Sequence, residues 1–426
     1  MNLIIEPTDR LNGTVKAPSS KSYTHRAIII ASLADGESRI LNPLISGDTL
    51  ASIDACKSSG SRIEFDKDRD ELIIYGNSGS PRFSKKVIDV RNSGTTIRFM
   101  TSIASLCKEE ITLTGDESIL RRPMLPLLNA LEQLGVKTKS NNGMPPISVR
   151  GPMRGGKCRI LGGISSQFIS SLLISLPLTG EGGEIYIEGT LRSRPYIDLT
   201  IETLRRFGAR IKFLDDKFEI PGNQSYTGIR YGIEGDYSSA AFILAAGAIT
   251  NSQIRIENLN RDSKQGDKRI VEILRRMGAK IKSGRDYVEI KGNLDLEGIE
   301  IDLSDNPDLV PVVAVLGSLA SGKTIIRNIK HVRYKESDRI SSISAELKKM
   351  NVKIMEGIDF LEIEGKERLK SAHLHGWNDH RIVMSLAVAS LRAEDKVTID
   401  SAESIDVSFP NFIETMRSLG CEMNLK

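Results

Sequence analysis

Residues 204–213 read LRRFGARIKF. An amphipathic helix stops at Gly208 and a strand follows at once, because Gly enters the left-handed backbone region without a Cβ penalty. The same phrase returns as CKSSGSRIEF (56–65), LEQLGVKTK (131–139), LRRMGAKIK (274–282), LKKMNVKIM (347–355) and MRSLGCEMNL (416–425). Its stop residues are Gly60, Gly135, Gly208, Gly278, Asn351 and Gly420, a repeat of about 70 residues that governs the architecture. Asn351 fits the series because Asn is the next residue most tolerant of positive φ.

A second helix recurs on the same beat, opening as SKSYTHRAIII, NSGTTIRFMTSI, SSQFISSLLIS, YSSAAFILAAG, NPDLVPVVAVL and NDHRIVMSLAV. These bodies are apolar all round and read as buried helices, whereas the first-phrase helices carry a charged outer face. Their starts are expected near Ser20, Ser93, Ser165, Ser238, Pro307 and Asp379. Each repeat is then a βαβαββ unit. Six of them predict an α/β (α+β) protein of two lobes, three units each, every lobe an inside-out barrel with the uncharged helices inside.

Length alone argues for about three domains at ~150 residues each, but the repeat argues for two equal halves. The first strand, NLIIEP, lacks a partner in its own half if the cycle closes, so it is expected in the C-terminal lobe. The expected lobes are 17–234, and 1–16 with 235–426, joined by a double hinge near 15–18 and 232–236. Such a hinge suits closure over a ligand.

The chain is 27% charged and 5% aromatic, with a net charge of +4 and no apolar run long enough to span a bilayer. MNLIIEPTDR reads as strand and turn rather than a targeting segment. The expectation is a cytoplasmic monomer that binds neither membrane nor nucleic acid, since its basic residues are dispersed. Cys56, Cys107, Cys158 and Cys421 show no CxxC spacing and read as reduced packing residues. The His residues have no ligand spacing, so neither a metal nor an organic cofactor is expected.

The chemistry lies at the starts of the buried helices. Unsatisfied N–H groups and the helix dipole make a helix start an anion site. Parallel helices would gather three such starts on one face of each lobe. The residues there suit an acidic ligand: Lys21, Ser22 and Arg26; Asn92, Gly94, Thr95 and Arg98; Ser165, Ser166 and Gln167; Asp379, His380 and Arg381. Arg121, Arg122, Arg192, Arg194, Arg333, Lys335 and Arg339 add positive charge nearby in sequence. Cations oppose the dipole at a helix start, so Lys21 and Arg26 point to a ligand. SSQ reads equally as a cap, and Glu336 and Asp338 read as first-turn acids of the helix ESDRISSISAELKKM. Asp308 could be a first-turn acid after Pro307, and His380 reads first as a structural residue.

GSLASGKT (317–324) matches the phosphate-binding Walker pattern. That loop needs a strand before it and a helix after it; here the order is reversed. A P-loop kinase is therefore disfavoured.

PSSKSYTHR, NSGTTIR, GDESILRRPM, SSQF, SRPYID, QGD, NPD, KESDR, NDHR and SFPNF, in that order from Ser19 to Phe412, resemble the 5-enolpyruvylshikimate-3-phosphate (EPSP) synthase family. The resemblance implies two lobes of three βαβαββ units and transfer of an enolpyruvyl group from phosphoenolpyruvate to the 5-hydroxyl of shikimate 3-phosphate. It implies that Lys21, Gly94, Arg122, Gln167, Arg339 and Arg381 hold phosphoenolpyruvate. Ser22, Arg26, Ser165, Ser166, Gln167, Ser193, Tyr196, Asp308 and Lys335 would hold shikimate 3-phosphate. Asp308 would be the base, with Glu336 and Lys21 moving the methylene proton. Two such ligands bring roughly −5 to −6 of charge, more than helix ends of about half a charge each can balance. Several Lys and Arg must supply the rest.

The family pattern is broken at Val407, where a Lys usually precedes SFPNF, and at His331, where an Asn is usual. The rival reading is transfer to UDP-N-acetylglucosamine, which expects Asn after the first Lys and a Cys before the RP pair; this chain has Ser22, and no Cys in GDESILRRPM. A non-catalytic anion-binding module is the remaining alternative.

Overall fold

The computed structural model describes residues 1–292 and 294–426. The chain forms two compact units, one of Ser19–Ile233 and one of Met1–Pro18 with Glu234–Lys426. Each has its own apolar core.

Six four-stranded sheets share one plan, three per unit. In one of them Val87–Asp89 pairs parallel with Glu110–Thr114, and the helix Gly94–Ala104 makes the crossover, because parallel neighbours cannot be joined by a tight turn. The helix Leu125–Gln133 then leads to an antiparallel pair, Lys137–Asn141 and Met144–Arg150, the latter lying beside Glu110–Thr114. The βαβαββ units expected from the repeat are present.

Three strands are borrowed across the sequence. Arg230–Gly232 pairs parallel with Glu37–Leu41 and so leads the first sheet of the Ser19–Ile233 unit. In the other unit Asn12–Lys16 pairs parallel with Gln253–Glu257. Leu3–Ile5 lies antiparallel between Val397–Ile399 and Met423–Leu425.

All six stop residues have left-handed φ: Gly60 100°, Gly135 87°, Gly208 94°, Gly278 94°, Asn351 64° and Gly420 105°. The four cysteines are free and buried, and burial pushes each thiol up to about 12. No helix among the described residues is long and apolar enough to cross a membrane.

Some starts differ from the sequence reading. The helix expected to start near Ser238 runs Tyr237–Ala248 and is capped by Asp236, whose carboxylate accepts the Ser239 N–H at 3.0 Å. Pro307–Leu309 forms a 3-10 turn ahead of the helix Val310–Ser318. Glu336 and Asp338 are not first-turn acids: the helix runs Arg339–Lys349, Asp338 is its N-cap, and Glu336 precedes it. In the Walker-like stretch the helix Val310–Ser318 precedes the strand Lys323–Arg327, and Lys323 pairs with Glu362 at 2.7 Å.

Candidate functional site

The six core helices are Lys21–Ser32, Gly94–Ala104, Ser166–Ser175, Tyr237–Ala248, Val310–Ser318 and His380–Ser390. Every residue in them is buried except Lys21, Ser22 and Gln167. These three occupy first turns, where free N–H groups concentrate. All three belong to the Ser19–Ile233 unit, and the core helices of the other unit are buried throughout.

In the Ser19–Ile233 unit, Lys21 Nζ lies 2.9 Å from Asp48 Oδ2, with both side chains largely buried. His25 Nε2 is 3.5 Å from Asp48 Oδ1. The other ring nitrogen meets Ser52 Oγ at 2.8 Å, Ser52 meets Thr96 at 2.7 Å, and Thr96 meets Ser93 at 2.6 Å. A buried polar chain thus connects Lys21 to the N-cap of Gly94–Ala104. Burial alone would raise the Asp48 carboxyl, but the charges of Lys21 and His25 and hydrogen bonds from His25 and Ser93 hold it well below the usual range. A carboxylate depressed in this way stabilises the fold fully above its unfolded value of about pH 4 and loses that contribution as pH falls. The acid limb of a Tm–pH titration should therefore flatten in Asp48→Asn. Lys21→Ala, which strands the buried carboxylate, should cost about 3–5 kcal/mol at neutral pH; equilibrium denaturation measures it.

Gly94 is fixed by a neighbour. A Cβ on it would lie 1.9 Å from Arg122 Nη1, so the buried Arg122 guanidinium stacks against the bare start of the helix. Ser165 caps Ser166–Ser175 and accepts the Gln167 N–H at 3.3 Å. The Gln167 amide accepts from Arg98 Nη1 and donates to Thr95 Oγ1 at 2.8 Å, which fixes which end is oxygen. Arg26 donates to Thr200 Oγ1 (2.8 Å), Ser22 O (2.9 Å) and Tyr196 O (2.8 Å), and burial lowers it to about 10, so it stays charged at neutral pH. It holds Ser22 and Tyr196 together through their carbonyls. Ser193, at the N-cap position of Arg194–Arg206, has φ 55° and makes no cap bond.

In the other unit, charge converges on two buried arginines. Arg339 Nη1 donates to Asp308 Oδ1 (2.7 Å), Nη2 to Glu336 (2.8 Å) and Nε to Asp379 (2.8 Å). Arg381 Nη2 reaches Asp308 Oδ2 at 3.2 Å, and its backbone N–H is accepted by Asp379 at 2.9 Å. Asp379, the N-cap of His380–Ser390, would be raised by burial but is held low chiefly by Arg339. Asp267, bonded by Ser238 Oγ, moves the opposite way: burial, then the neighbouring Asp308, push it up to about 6 against the pull of Arg381. Lys335 ends the 3-10 turn Lys330–Tyr334 that leads to Glu336.

Three further cations singled out by sequence face carboxylates near them in sequence. Arg121 is a largely exposed partner of Glu117. Arg194 pairs with Asp198 at 2.9 Å and stacks on Phe213 at 4.1 Å. Arg333 pairs with Asp338 at 2.6 Å and reaches Glu356 and the carbonyls of Gly357 and Ile358, bracing the turn before Arg339. Asp48, His25 and Asp267 were not among the expected site residues. The short QGD motif contained Asp267, but only folding shows that it adjoins Asp308.

The family model of EPSP synthase (3-phosphoshikimate 1-carboxyvinyltransferase) matches residues 5–416. The chain belongs to the EPSP synthase family. A 3-phosphoshikimate 1-carboxyvinyltransferase from Methanocaldococcus jannaschii is 50% identical over 100% of this chain and 99% of its own length. One from Methanococcoides burtonii is 49% identical over 97% of each. Among solved structures, an EPSP synthase from Acinetobacter baumannii superposes with a TM-score of 0.83 at 26% identity, covering 100% of both chains. The enolpyruvyl transferase NikO from Streptomyces tendae, at 17% identity, a TM-score of 0.80 and coverage of 99% and 98%, shares the fold.

Proposed function

We propose that this chain transfers the enolpyruvyl group of phosphoenolpyruvate to the 5-hydroxyl of shikimate 3-phosphate and releases phosphate. The observation that carries this reading is end-to-end likeness, at 50% identity, to a relative named for that transfer.

In this reading Lys21, Gly94, Arg122, Gln167, Arg339 and Arg381 hold phosphoenolpyruvate. Ser22, Arg26, Ser165, Ser166, Gln167, Ser193, Tyr196, Asp308 and Lys335 hold shikimate 3-phosphate. The enzyme acts as a monomer in the cytoplasm.

Asp308 accepts from Arg339 at 2.7 Å and Arg381 at 3.2 Å. A substrate anion that takes its place on those guanidiniums leaves the carboxylate free to accept a proton. Asp308 then removes the 5-hydroxyl proton as the oxygen bonds to C2 of phosphoenolpyruvate, while Lys21 or Glu336 protonates C3. The tetrahedral adduct collapses when the C2–O bond to phosphate breaks and C3 returns its proton, restoring the double bond. Preorganised guanidinium and helix-start charge stabilise the adduct without reorganising.

Val407 stands partly exposed in the turn Ala402–Val407. Val407→Lys should lower the KM for phosphoenolpyruvate by about tenfold, the effect of one charge-assisted hydrogen bond; an unchanged or raised KM counts against the placement of this turn at the site. Phosphate release from phosphoenolpyruvate, with shikimate 3-phosphate or UDP-N-acetylglucosamine as the acceptor, tests the function itself. Release with the first acceptor alone is expected.

A further inference from the structure

Arg381 and Asp379 depend on a turn that few sequences could build. Immediately before Asp379, Trp377 has φ 57° and Asn378 φ 49°, two successive non-glycine residues in the left-handed region. Such backbone persists only where its surroundings enforce it. Gly376 is equally constrained, since a Cβ there would lie 2.4 Å from both Asp400 O and Val383 Cγ2.

Two carboxylates supply the enforcement. Asp400 meets His375 Nδ1 at 2.7 Å and accepts the Gly376 N–H at 2.8 Å. Glu346 accepts the His375 N–H at 2.9 Å on one oxygen and the Trp377 indole N–H at 3.1 Å on the other. Glu346 is 1% exposed, and Lys349, at 2.7 Å, is its ion-pair partner. It belongs to the helix Arg339–Lys349, whose first residue grips Asp379 directly. One helix therefore holds the turn at two points, through Arg339 at its start and Glu346 two turns on.

We propose that Glu346 is a positioning residue for the reaction: by accepting the His375 and Trp377 N–H groups it fixes the turn that aims Arg381 and Asp379. The proposal rests on the reading of Arg381 as a phosphoenolpyruvate contact. Glu346 itself touches no reacting atom. Loosening it should impair the substrate held by Arg381 more than shikimate 3-phosphate, most of whose contacts lie in the Ser19–Ile233 unit.

Glu346→Gln keeps the volume but turns an NH₂ toward one of the two donors. It should raise the KM for phosphoenolpyruvate by about tenfold, as loss of a hydrogen bond to a charged group does. The KM for shikimate 3-phosphate should rise by less, since of its contacts only Asp308 and Lys335 share a unit with Glu346. Trp377→Phe, at a 39% exposed position, removes the indole donor while keeping an aromatic ring beside His375 and should shift the same constant in the same direction, so the test survives poor folding of the first variant. Equal rises in both KM values, or no rise in either variant, overturn the proposal. A second readout needs no substrate: Trp377 is the only tryptophan, so its indole N–H gives one ¹H–¹⁵N signal. That signal should move upfield and exchange faster in Glu346→Gln; an unmoved signal refutes the clamp. If the wild type releases no phosphate with shikimate 3-phosphate, the functional reading fails, while the indole signal still decides whether Glu346 holds the turn.

Discussion

Asp308→Asn lowers kcat by about 10²- to 10⁴-fold, the contribution of a positioned general base. The amide cannot take the 5-hydroxyl proton at neutral pH. The fold should tolerate the change, because Arg339 keeps Glu336 at 2.8 Å and Asp379 at 2.8 Å when Asp308 is neutralised. The KM for phosphoenolpyruvate should hold or fall, since an internal carboxylate no longer competes for Arg339 Nη1 and Arg381 Nη2. Steady-state phosphate release separates the two constants. A loss of less than about tenfold in kcat would remove Asp308 as the base and leave it a counter-ion of the two arginines.

Gly94→Ala raises the KM for phosphoenolpyruvate by about 10- to 100-fold, the range expected when a charge-assisted phosphate contact is lost. The backbone at Gly94 is not among the left-handed glycines, and Ala is the better helix former, so stability should hold or rise. The collision is local: the new methyl would meet Arg122 Nη1 at 1.9 Å and Arg122 Cζ at 3.1 Å, and the flexible end of Arg122 must swing away. The KM for shikimate 3-phosphate should not follow. Combining Gly94→Ala with Arg122→Ala checks the route, because once the guanidinium is gone the methyl has nothing left to displace. Additive losses would show that Gly94 acts on something other than Arg122.

The repeat was readable because its signal is local. A positive-φ stop needs Gly or Asn within a few residues of a helix and a strand, and all six such positions adopt that backbone. The sealed helices were readable for a similar reason, an apolar surface on every side. Lys21, Ser22 and Gln167 stood out as polar letters at the openings of such helices, and these are the helix residues left unburied.

Contacts between distant segments were not readable. A guanidinium looks the same in sequence whatever will face it, so nothing there shows that Asp198 faces Arg194, Asp338 faces Arg333 and Asp308 faces both Arg339 and Arg381. Nothing in the sequence singles out Glu346 of ELKKM, yet it is buried under a turn roughly thirty residues away in sequence. Asp48 was missed likewise, since its partner Lys21 comes from another helix. The borrowed strand Leu3–Ile5 was the exception: the repeat count left it without a place in its own half, and it pairs with Val397–Ile399 and Met423–Leu425.

Product analysis tests the enolpyruvyl transfer most directly. With phosphoenolpyruvate and shikimate 3-phosphate, NMR should show the enolpyruvyl ether on the 5-oxygen accumulating in equal amount to free phosphate. Phosphate without the ether, or an ether formed only when UDP-N-acetylglucosamine is the acceptor, would contradict it.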